Sequence, residues 1–168
     1  TSGVLIAWKT YDALKYLNEL IRLHKTDKIY LAIVKGIVKN KTIDLPLEKV
    51  FDRDFWKSKV IVSQNGDQAT SIVKNLKTKK DLNLWNISLV EVKLLTGRMH
   101  QIRVHLSYNK WPILGDLMYA DAVINRLAKK YYNITRQLLH SWKYSFKYNW
   151  KKYSVQAPVP IEFNEIIK

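Results

Sequence analysis

The chain has 168 residues, of which 29 are lysine or arginine and 14 are aspartate or glutamate, so its formal net charge is +15. A hydrophobic fraction of 47% suffices for the folded core of one domain and excludes a disordered basic tail. Because the chain has no cysteine, a disulfide scaffold, a thiol nucleophile and a zinc finger or ribbon are excluded. The excess of cations suits a polyphosphate partner, nucleic acid first, and a lysine-rich surface that serves only solubility is the alternative.

The sequence contains neither a membrane-spanning segment nor a secretory leader. No apolar run approaches the roughly 18 residues that a membrane-spanning helix needs. The first residues also lack the basic and hydrophobic segments of a secretory leader. The sequence therefore predicts a soluble, cytoplasmic protein.

The first part of the chain predicts a strand, a helix and a second strand. Residues 4–8 are continuously apolar, which is typical of a strand covered on both faces. Thr10 can cap a helix whose apolar residues recur at helical spacing up to the polar turn at 25–28. Residues 29–38 are rich in β-branched side chains and predict the next strand, with a bend at Gly36.

The middle of the chain predicts further strands. Pro46 restricts residues 43–47 to a strand end or an edge strand. Residues 57–63 and 69–76 are strand candidates on either side of Asn65 and Gly66, a residue pair that favours a hairpin turn. Residues 84–95 alternate between apolar and polar side chains and predict a long strand.

The last part predicts three helices and a hairpin. One helix opens at Thr96 and Gly97 and ends before Pro112, and a second covers residues 121–130. Residues 138–148 and 152–156 are typical of a hairpin, and an amphipathic helix follows from Ile161. Many strands with a few helices predict an α+β domain that covers residues 1–168.

Two neighbouring segments carry a long motif. Residues 95–106 read L-T-G-R-M-H-Q-I-R-V-H-L, and residues 111–119 read W-P-I-L-G-D-L-M-Y. This pair strongly resembles the signature of the RluA-type pseudouridine synthases, T-G-R-x-H-Q-I-R-x-H followed by P-I-x-G-D-x-x-Y. Shorter matches to the same family occur in the same chain order at residues 1–5, 28–36, 43–47, 139–141 and 156–158.

The resemblance implies a fold and an activity. The fold is a mixed, mainly antiparallel sheet with peripheral helices, and the activity is isomerisation of uridine to pseudouridine in structured RNA. The resemblance implies a reaction without a cofactor, and no metal is expected. The R-x-x-L-H-S segment formed by Arg136, Leu139, His140 and Ser141 resembles the RluC/RluD-like branch, which implies large-subunit ribosomal RNA, with transfer RNA as the other candidate substrate.

The resemblance also predicts that the chain is a fragment. The catalytic Asp of the family lies three residues before the position matched by Thr1, and the family's upstream strands and RNA-binding S4 domain are absent from these 168 residues. The parent protein is therefore expected to be the enzyme and the chain alone to be inactive. A non-catalytic RNA-binding module derived from the same family is the alternative, whereas a DNA-binding domain lacks a helix-turn-helix or finger pattern.

Five residues carry the functional expectations of the motifs. Arg103 matches the Arg that pairs with the catalytic Asp, and Tyr30 matches the Tyr that stacks on the target base and helps to remove its C5 proton. Arg98, His100 and Gln101 open a helix and are candidates for contact with a phosphate or a base. Without the motifs, Arg103 would be interpreted as an exposed helix cation and Tyr30 as a core aromatic residue.

Other titratable residues receive structural interpretations. Asp116 follows Gly115 and is expected to bond its own turn rather than act in catalysis. His100 and His105 have no metal-ligand spacing, and a packed structural histidine is an equal alternative for both. Asp67 stands where the family usually has Lys, which leaves RNA contact at that turn open.

Overall fold

The computed structural model describes residues 1–52 and 57–168, and within them the chain forms nine strands and four helices. The strands are β1 (Ser2–Gly3), β2 (Thr26–Lys35), β3 (Lys41–Asp44), β4 (Leu47–Asp52), β5 (Lys57–Val62), β6 (Thr70–Asp81), β7 (Trp85–Leu94), β8 (Leu139–Tyr148) and β9 (Lys151–Gln156). The helices are α1 (Tyr11–Arg22), α2 (Gln101–Tyr108), α3 (Ala122–Tyr132) and α4 (Ile161–Ile167). None of these helices has the length and apolar character needed to span a bilayer.

Seven of the described strands form one mixed sheet. Its order is β1-β8-β2-β7-β6-β3, with β9 also paired to β8. Only the β1–β8 pair among them is parallel, and the other pairs are antiparallel. β4 and β5 form a separate antiparallel pair. The predicted α+β fold with a mainly antiparallel sheet is confirmed.

The core lies on both faces of the centre of the large sheet. Residues 31–34 of β2 are at most 3% exposed, because α2, α3 and α4 contribute apolar side chains such as Leu106, Ile124 and Phe163 to the same cluster. β2 was predicted over residues 29–38. The observed strand begins earlier, at Thr26, and ends at Lys35, because the chain turns at Gly36, whose φ is +99°.

Several predicted elements are confirmed close to their expected bounds. β7 occupies the alternating segment, and β8 and β9 form the C-terminal hairpin. Thr10 caps α1 by accepting a hydrogen bond from the Ala13 N–H at 3.3 Å. Asp121 caps α3 in the same way, with the Val123 N–H as the donor at 2.6 Å.

The strand predicted over residues 4–8 is wrong. Pairing with β8 extends only from Ser2 to the Val4 N–H, which donates to the Ser141 carbonyl. The chain then leaves the sheet toward α1, and Leu5 is 89% exposed. Val4 and Ile6 are half-buried and Ala7 and Trp8 are exposed, so the apolar run is not covered on both faces as the sequence predicted.

The hairpin predicted around Asn65 and Gly66 is also wrong. The turn exists, since the Gly66 N–H donates to the Ser63 carbonyl, but it joins two different sheets. β5 pairs with β4, whereas β6 pairs with β3 and β7. Gly66 packs against the backbone of Leu47, where a Cβ would lie 2.4 Å from the carbonyl carbon. The glycine therefore serves a close backbone approach rather than a two-residue hairpin.

The helix expected to open at Thr96 and Gly97 begins later, at Gln101. His100 precedes it in the left-handed region, with φ of +54°. Residues 96–99 form a turn instead of helix, and in it the Arg98 N–H donates a hydrogen bond to Gln101 Oε1. This turn directs its residues toward the site described next.

Candidate active site

One cavity of about 340 Å³ lies between β2, the turn after β7 and the start of α2. Five of its lining residues are those predicted from the sequence: Tyr30, Arg98, His100, Gln101 and Arg103. The remaining lining residues are Thr1, Leu94, Ile102, Gln137 and Leu139. The volume is in the range of small-ligand sites, and its lining combines apolar walls with a few polar groups, as such sites do.

Arg103 on α2 is held by Asp116 through two parallel hydrogen bonds. Arg103 Nε donates to Asp116 Oδ2 and Nη2 donates to Oδ1, each at 2.7 Å. The two side chains are 13% and 1% exposed. A two-bond fork of this kind fixes the plane of the guanidinium and leaves the Nη1 hydrogens outside the fork.

Asp116 organises its own turn as well as Arg103. Its Oδ1 accepts from the Met118 N–H at 3.0 Å and the Tyr119 N–H at 3.1 Å, so the expected turn role is confirmed. Burial alone would raise the pKa of Asp116, but the hydrogen bonds from Arg103 and these backbone groups lower it below its ordinary value. The pair with Arg103 was not foreseen, because no local pattern connects α2 to the G-D turn.

Tyr119 links this pair to His100. The Arg103 guanidinium carbon lies 4.8 Å from the centre of the Tyr119 ring, and the Val60 N–H donates to the Tyr119 hydroxyl. That hydroxyl can therefore give its proton to His100 Nδ1, 2.9 Å away, which leaves His100 Nε2–H as a donor. Burial, followed by the charge of Arg103, lowers the pKa of His100 and favours this neutral form.

Gln101 lines the cavity, but its side-chain amide forms hydrogen bonds with other residues of the chain. Its Oε1 accepts from the Thr96 hydroxyl at 2.8 Å and the Arg98 N–H at 2.9 Å. Its Nε2 donates to the Thr70 carbonyl and the Ser71 hydroxyl, both at 3.0 Å. All four bonding positions of the amide are used, and the residue is 2% exposed. These hydrogen bonds indicate that Gln101 fixes the turn that carries Arg98.

Tyr30 is half-buried on β2 beside an irregularity in the sheet. The register between β2 and β8 shifts between Ile29 and Tyr30, and such bulges redirect side chains near functional sites. Burial raises the pKa of the Tyr30 phenol. The protonated phenol is therefore its resting form at neutral pH.

Arg98 is exposed, whereas Tyr30, His100, Gln101 and Arg103 are half-buried or buried. Its Nη1 lies 3.2 Å from Asp67 Oδ2, and its Nε donates to the Gln68 carbonyl at 3.2 Å. Asp67 is the residue that departs from the family pattern, and the departure places an acid against a candidate RNA-contacting cation.

His105 belongs to a buried chain of hydrogen bonds that holds α2 to the sheet. Its Nε2 faces the Leu45 carbonyl at 3.1 Å, so the ring proton lies on Nε2 and Nδ1 accepts from the Ser71 hydroxyl at 2.9 Å. His105 is completely buried, and burial lowers its pKa. The packed structural histidine, one of the two interpretations left open, describes His105.

We expect His105 to make folding stability depend on pH. Its pKa in the folded chain lies below the unfolded value of about 6.5, so its contribution is full above that pH and is lost as the pH falls below it. A neutral buried histidine contributes a slope of up to about 1.4 kcal/mol per pH unit. Urea titrations between about pH 5 and pH 8 should show a smaller slope for His105→Gln than for the exposed-site control His24→Asn. Equal slopes in the two variants would contradict the assignment.

Among the described residues, no group of three or more His, Asp or Glu side chains is placed to hold a metal ion. The polar side chains that line the cavity are instead two guanidinium groups, a phenol, an imidazole, two amides and a hydroxyl. These groups can orient a carboxylate or a base, stack on a ring and donate hydrogen bonds.

Residues 1–108 match the sequence profile of the RNA pseudouridylate synthase family. The chain therefore belongs to this family, and the resemblance inferred from the motifs is confirmed. The family match includes Tyr30, the turn before α2 and the first residues of α2 through Arg103, which together form most of the cavity's polar lining.

Curated relatives agree with the family match. The chain is 35% identical over 166 residues to ribosomal large subunit pseudouridine synthase C of Buchnera aphidicola (subspecies Baizongia pistaciae), covering 97% of the chain and 50% of the relative. It is 36% identical over 165 residues to ribosomal large subunit pseudouridine synthase D of Borreliella burgdorferi, covering 94% and 46%. The chain thus spans about half the length of these curated relatives.

A solved structure shows the same fold. The human protein RNA pseudouridylate synthase domain containing 1 superposes with a TM-score of 0.75 at 22% sequence identity, covering 89% of this chain and 61% of the human one. The sheet that carries Tyr30 and the helix that carries Arg103 are therefore parts of a fold shared at low identity.

Proposed function

We propose that the whole protein containing this chain converts uridine to pseudouridine in RNA, in the cytoplasm, with large-subunit ribosomal RNA as the substrate. One observation carries the proposal: a chain of this family gathers Tyr30 and a fixed Arg103 in one cavity of about 340 Å³. Relatives named for large-subunit synthases cover nearly the whole chain and support that substrate over transfer RNA, although a relative named tRNA pseudouridine synthase C also matches.

The reaction is a rearrangement within one nucleotide. The bond between N1 of uracil and C1′ of ribose breaks, the base turns, and a bond forms between C5 and C1′. The proton leaves C5 and N1 gains one, so atoms and electrons balance without an oxidant or a carrier. The protein must therefore orient the reacting groups, hold the detached base and exclude water.

Arg103 is suited to aim a carboxylate at the sugar. Asp116 fixes Nε and Nη2, and the Nη1 hydrogens remain for a second anion. The resemblance puts the catalytic Asp three residues before the position of Thr1, and Thr1 lines the same cavity as Arg103. A carboxylate from that position can come within reach of the guanidinium, which would keep it ionised in a partly dry site.

Tyr30 is suited to hold the base. Its ring stands on the cavity wall next to the apolar side chains of Leu94 and Leu139, where a flipped uracil can stack. We propose that the phenol also handles the C5 proton, and that His100 Nε2–H and Arg98 contact the base or the RNA backbone. Gln101 supports them by fixing their turn.

We expect the 168-residue chain alone to bind RNA without catalysing the formation of pseudouridine. No carboxylate is among the described residues that line the cavity. This feature also favours the second candidate, a non-catalytic RNA-binding module, if the whole protein lacks a carboxylate at the family's position.

Incubation of the whole protein with unmodified transcripts tests the substrate class. We expect pseudouridine, detected by nucleoside mass spectrometry, in large-subunit ribosomal RNA and not in small-subunit ribosomal RNA. Product only in transfer RNA would overturn the proposed substrate. Tight RNA binding without product in any transcript would instead establish the binding module.

We expect Asp67→Asn to strengthen RNA binding by freeing Arg98. Exposed ion pairs contribute about 0.2–1 kcal/mol, so the dissociation constant should fall by a factor of about 1.5 to 5 at low salt, with the gain fading as salt is added. Glu165→Gln on α4 removes the same charge at an exposed position and is the matched control. Fluorescence anisotropy with a labelled ribosomal RNA fragment measures both, and an equal gain in the two variants would show only an effect of net charge.

A further inference from the structure

Lys28 is a buried cation that the proposed reaction does not use. It lies on β2 and is 7% exposed. Among the residues that the structure describes, no carboxylate or carbonyl bonds to its ammonium group. Burial lowers the pKa of Lys28, as expected for a charge withdrawn from water without a partner. Such a group is unfavourable in the free protein unless an anion joins it.

Asp27, which precedes Lys28 in the chain, cannot be the anion that pairs with the Lys28 ammonium. Side chains alternate between the two faces of a strand, so Asp27 and Lys28 point to opposite sides of the sheet. Asp27 binds Lys93 on its own side, with 2.9 Å between Oδ1 and Nζ. Lys28 shares its face with Tyr30 instead.

The ammonium of Lys28 lies beside residues that line the cavity, although Lys28 is not itself a lining residue. Leu94, its cross-strand neighbour on β7, lines the cavity. A Cβ added to Gly97 would lie 2.9 Å from Lys28 Nζ and would meet nothing else within 4 Å. Gly97 thus leaves room for the ammonium under the turn that carries Arg98, itself a lining residue.

We propose that Lys28 binds a backbone phosphate of the RNA, next to the nucleoside whose base lies against Tyr30. This site rests on the proposed function. Lys28 and Tyr30 are two residues apart on one face, about 6.6 Å along the strand, a distance that one nucleotide spans between base and phosphate. A lysine ammonium binds phosphate through a compact charge and three hydrogen-bond donors. Because Gly97 has no side chain, the phosphate can approach the turn closely.

Salt dependence of oligonucleotide binding tests the contact. The probe is an octamer of uridylate, bound to the whole protein and measured by fluorescence anisotropy over a range of KCl. Loss of one phosphate contact should reduce the slope of log K against log[KCl] by about 0.7. We expect this for Lys28→Met, together with about tenfold weaker binding at about 0.1 M KCl. Lys28→Arg should restore most of both.

Two further measurements separate this role from a structural one. Lys28→Met replaces an unpaired buried charge by an apolar side chain of similar length, so its midpoint of thermal unfolding should rise or stay unchanged. Lys77→Met, an exposed site on β6, is the control for loss of one positive charge. In side-chain NMR of protein with ¹⁵N-labelled lysine, the Lys28 signal should shift with inorganic phosphate and with uridine 5′-monophosphate, and not with uridine.

The outcomes distinguish this site from the proposed function. If the octamer binds and Lys28→Met keeps the wild-type slope, the phosphate contact is wrong while the proposed function stands. An equal change of slope in Lys77→Met, without a phosphate-dependent shift of the Lys28 signal, also overturns the contact. If inorganic phosphate shifts the signal but the octamer does not bind at all, Lys28 is an anion site that does not serve RNA, and the phosphate contact is wrong. The proposed function is decided separately, by pseudouridine formation in ribosomal RNA.

Discussion

Asp116→Asn should lower the free energy of unfolding of the chain by about 3 kcal/mol. Asn keeps an oxygen for the turn of Met118 and Tyr119, but it removes the charge that pairs with Arg103 in a site where Asp116 is 1% exposed. Without this carboxylate, the Arg103 guanidinium, which is only 13% exposed, carries an uncompensated charge. Urea unfolding at neutral pH, followed by circular dichroism, measures the effect.

The exposed pair of Arg136 and Glu162 provides the matched control. Its side chains are 42% and 35% exposed, so Glu162→Gln should change the same free energy by less than about 1 kcal/mol. In the whole protein, Asp116→Asn should also lower kcat while KM for RNA stays near the wild-type value, because Arg103 loses its orientation and not its position at the cavity. Equal effects of the two variants on unfolding would contradict the role of Asp116.

Arg103→Lys should reduce kcat of the whole protein by about 100-fold or more. Lysine keeps the charge but cannot form the two-bond fork with Asp116 and present a second planar edge to another carboxylate. Initial rates of pseudouridine formation over a range of RNA concentrations measure the loss. Arg126→Lys, at an exposed position on α3, should keep the wild-type rate. A kcat within about threefold of wild type for Arg103→Lys would exclude an orienting role for the guanidinium.

Strands and helices were predictable where the local pattern agreed with the tertiary setting. The alternation in β7 and the cap at Asp121 are local signals, and the sheet and the core use them without change. Residues 4–8 show the opposite case, because an apolar run indicates burial only if another element covers it. The turn at Gly66 was visible, but the sheet to which each flanking strand belongs depends on contacts distant in sequence.

The members of the site were predictable, and their partners were not. The long motif placed Arg103, His100 and Gln101 on one turn and helix, and the short match added Tyr30. Sequence spacing could not show that Asp116, 13 residues away, holds Arg103, although both residues stand inside the motif. Nor could it show that the Gln101 amide is consumed by internal bonds, since that follows from the packing of α2 on β6.

Release of tritium from RNA labelled at C5 of uridine is the most direct test of the central claim, because the label leaves only when C5 loses its hydrogen. The whole protein and the 168-residue chain should be compared on the same ribosomal RNA. We predict release by the whole protein and none by the chain, because no carboxylate is among the described residues that line its cavity. Release by the chain itself, or none by the whole protein on any RNA, would contradict this account.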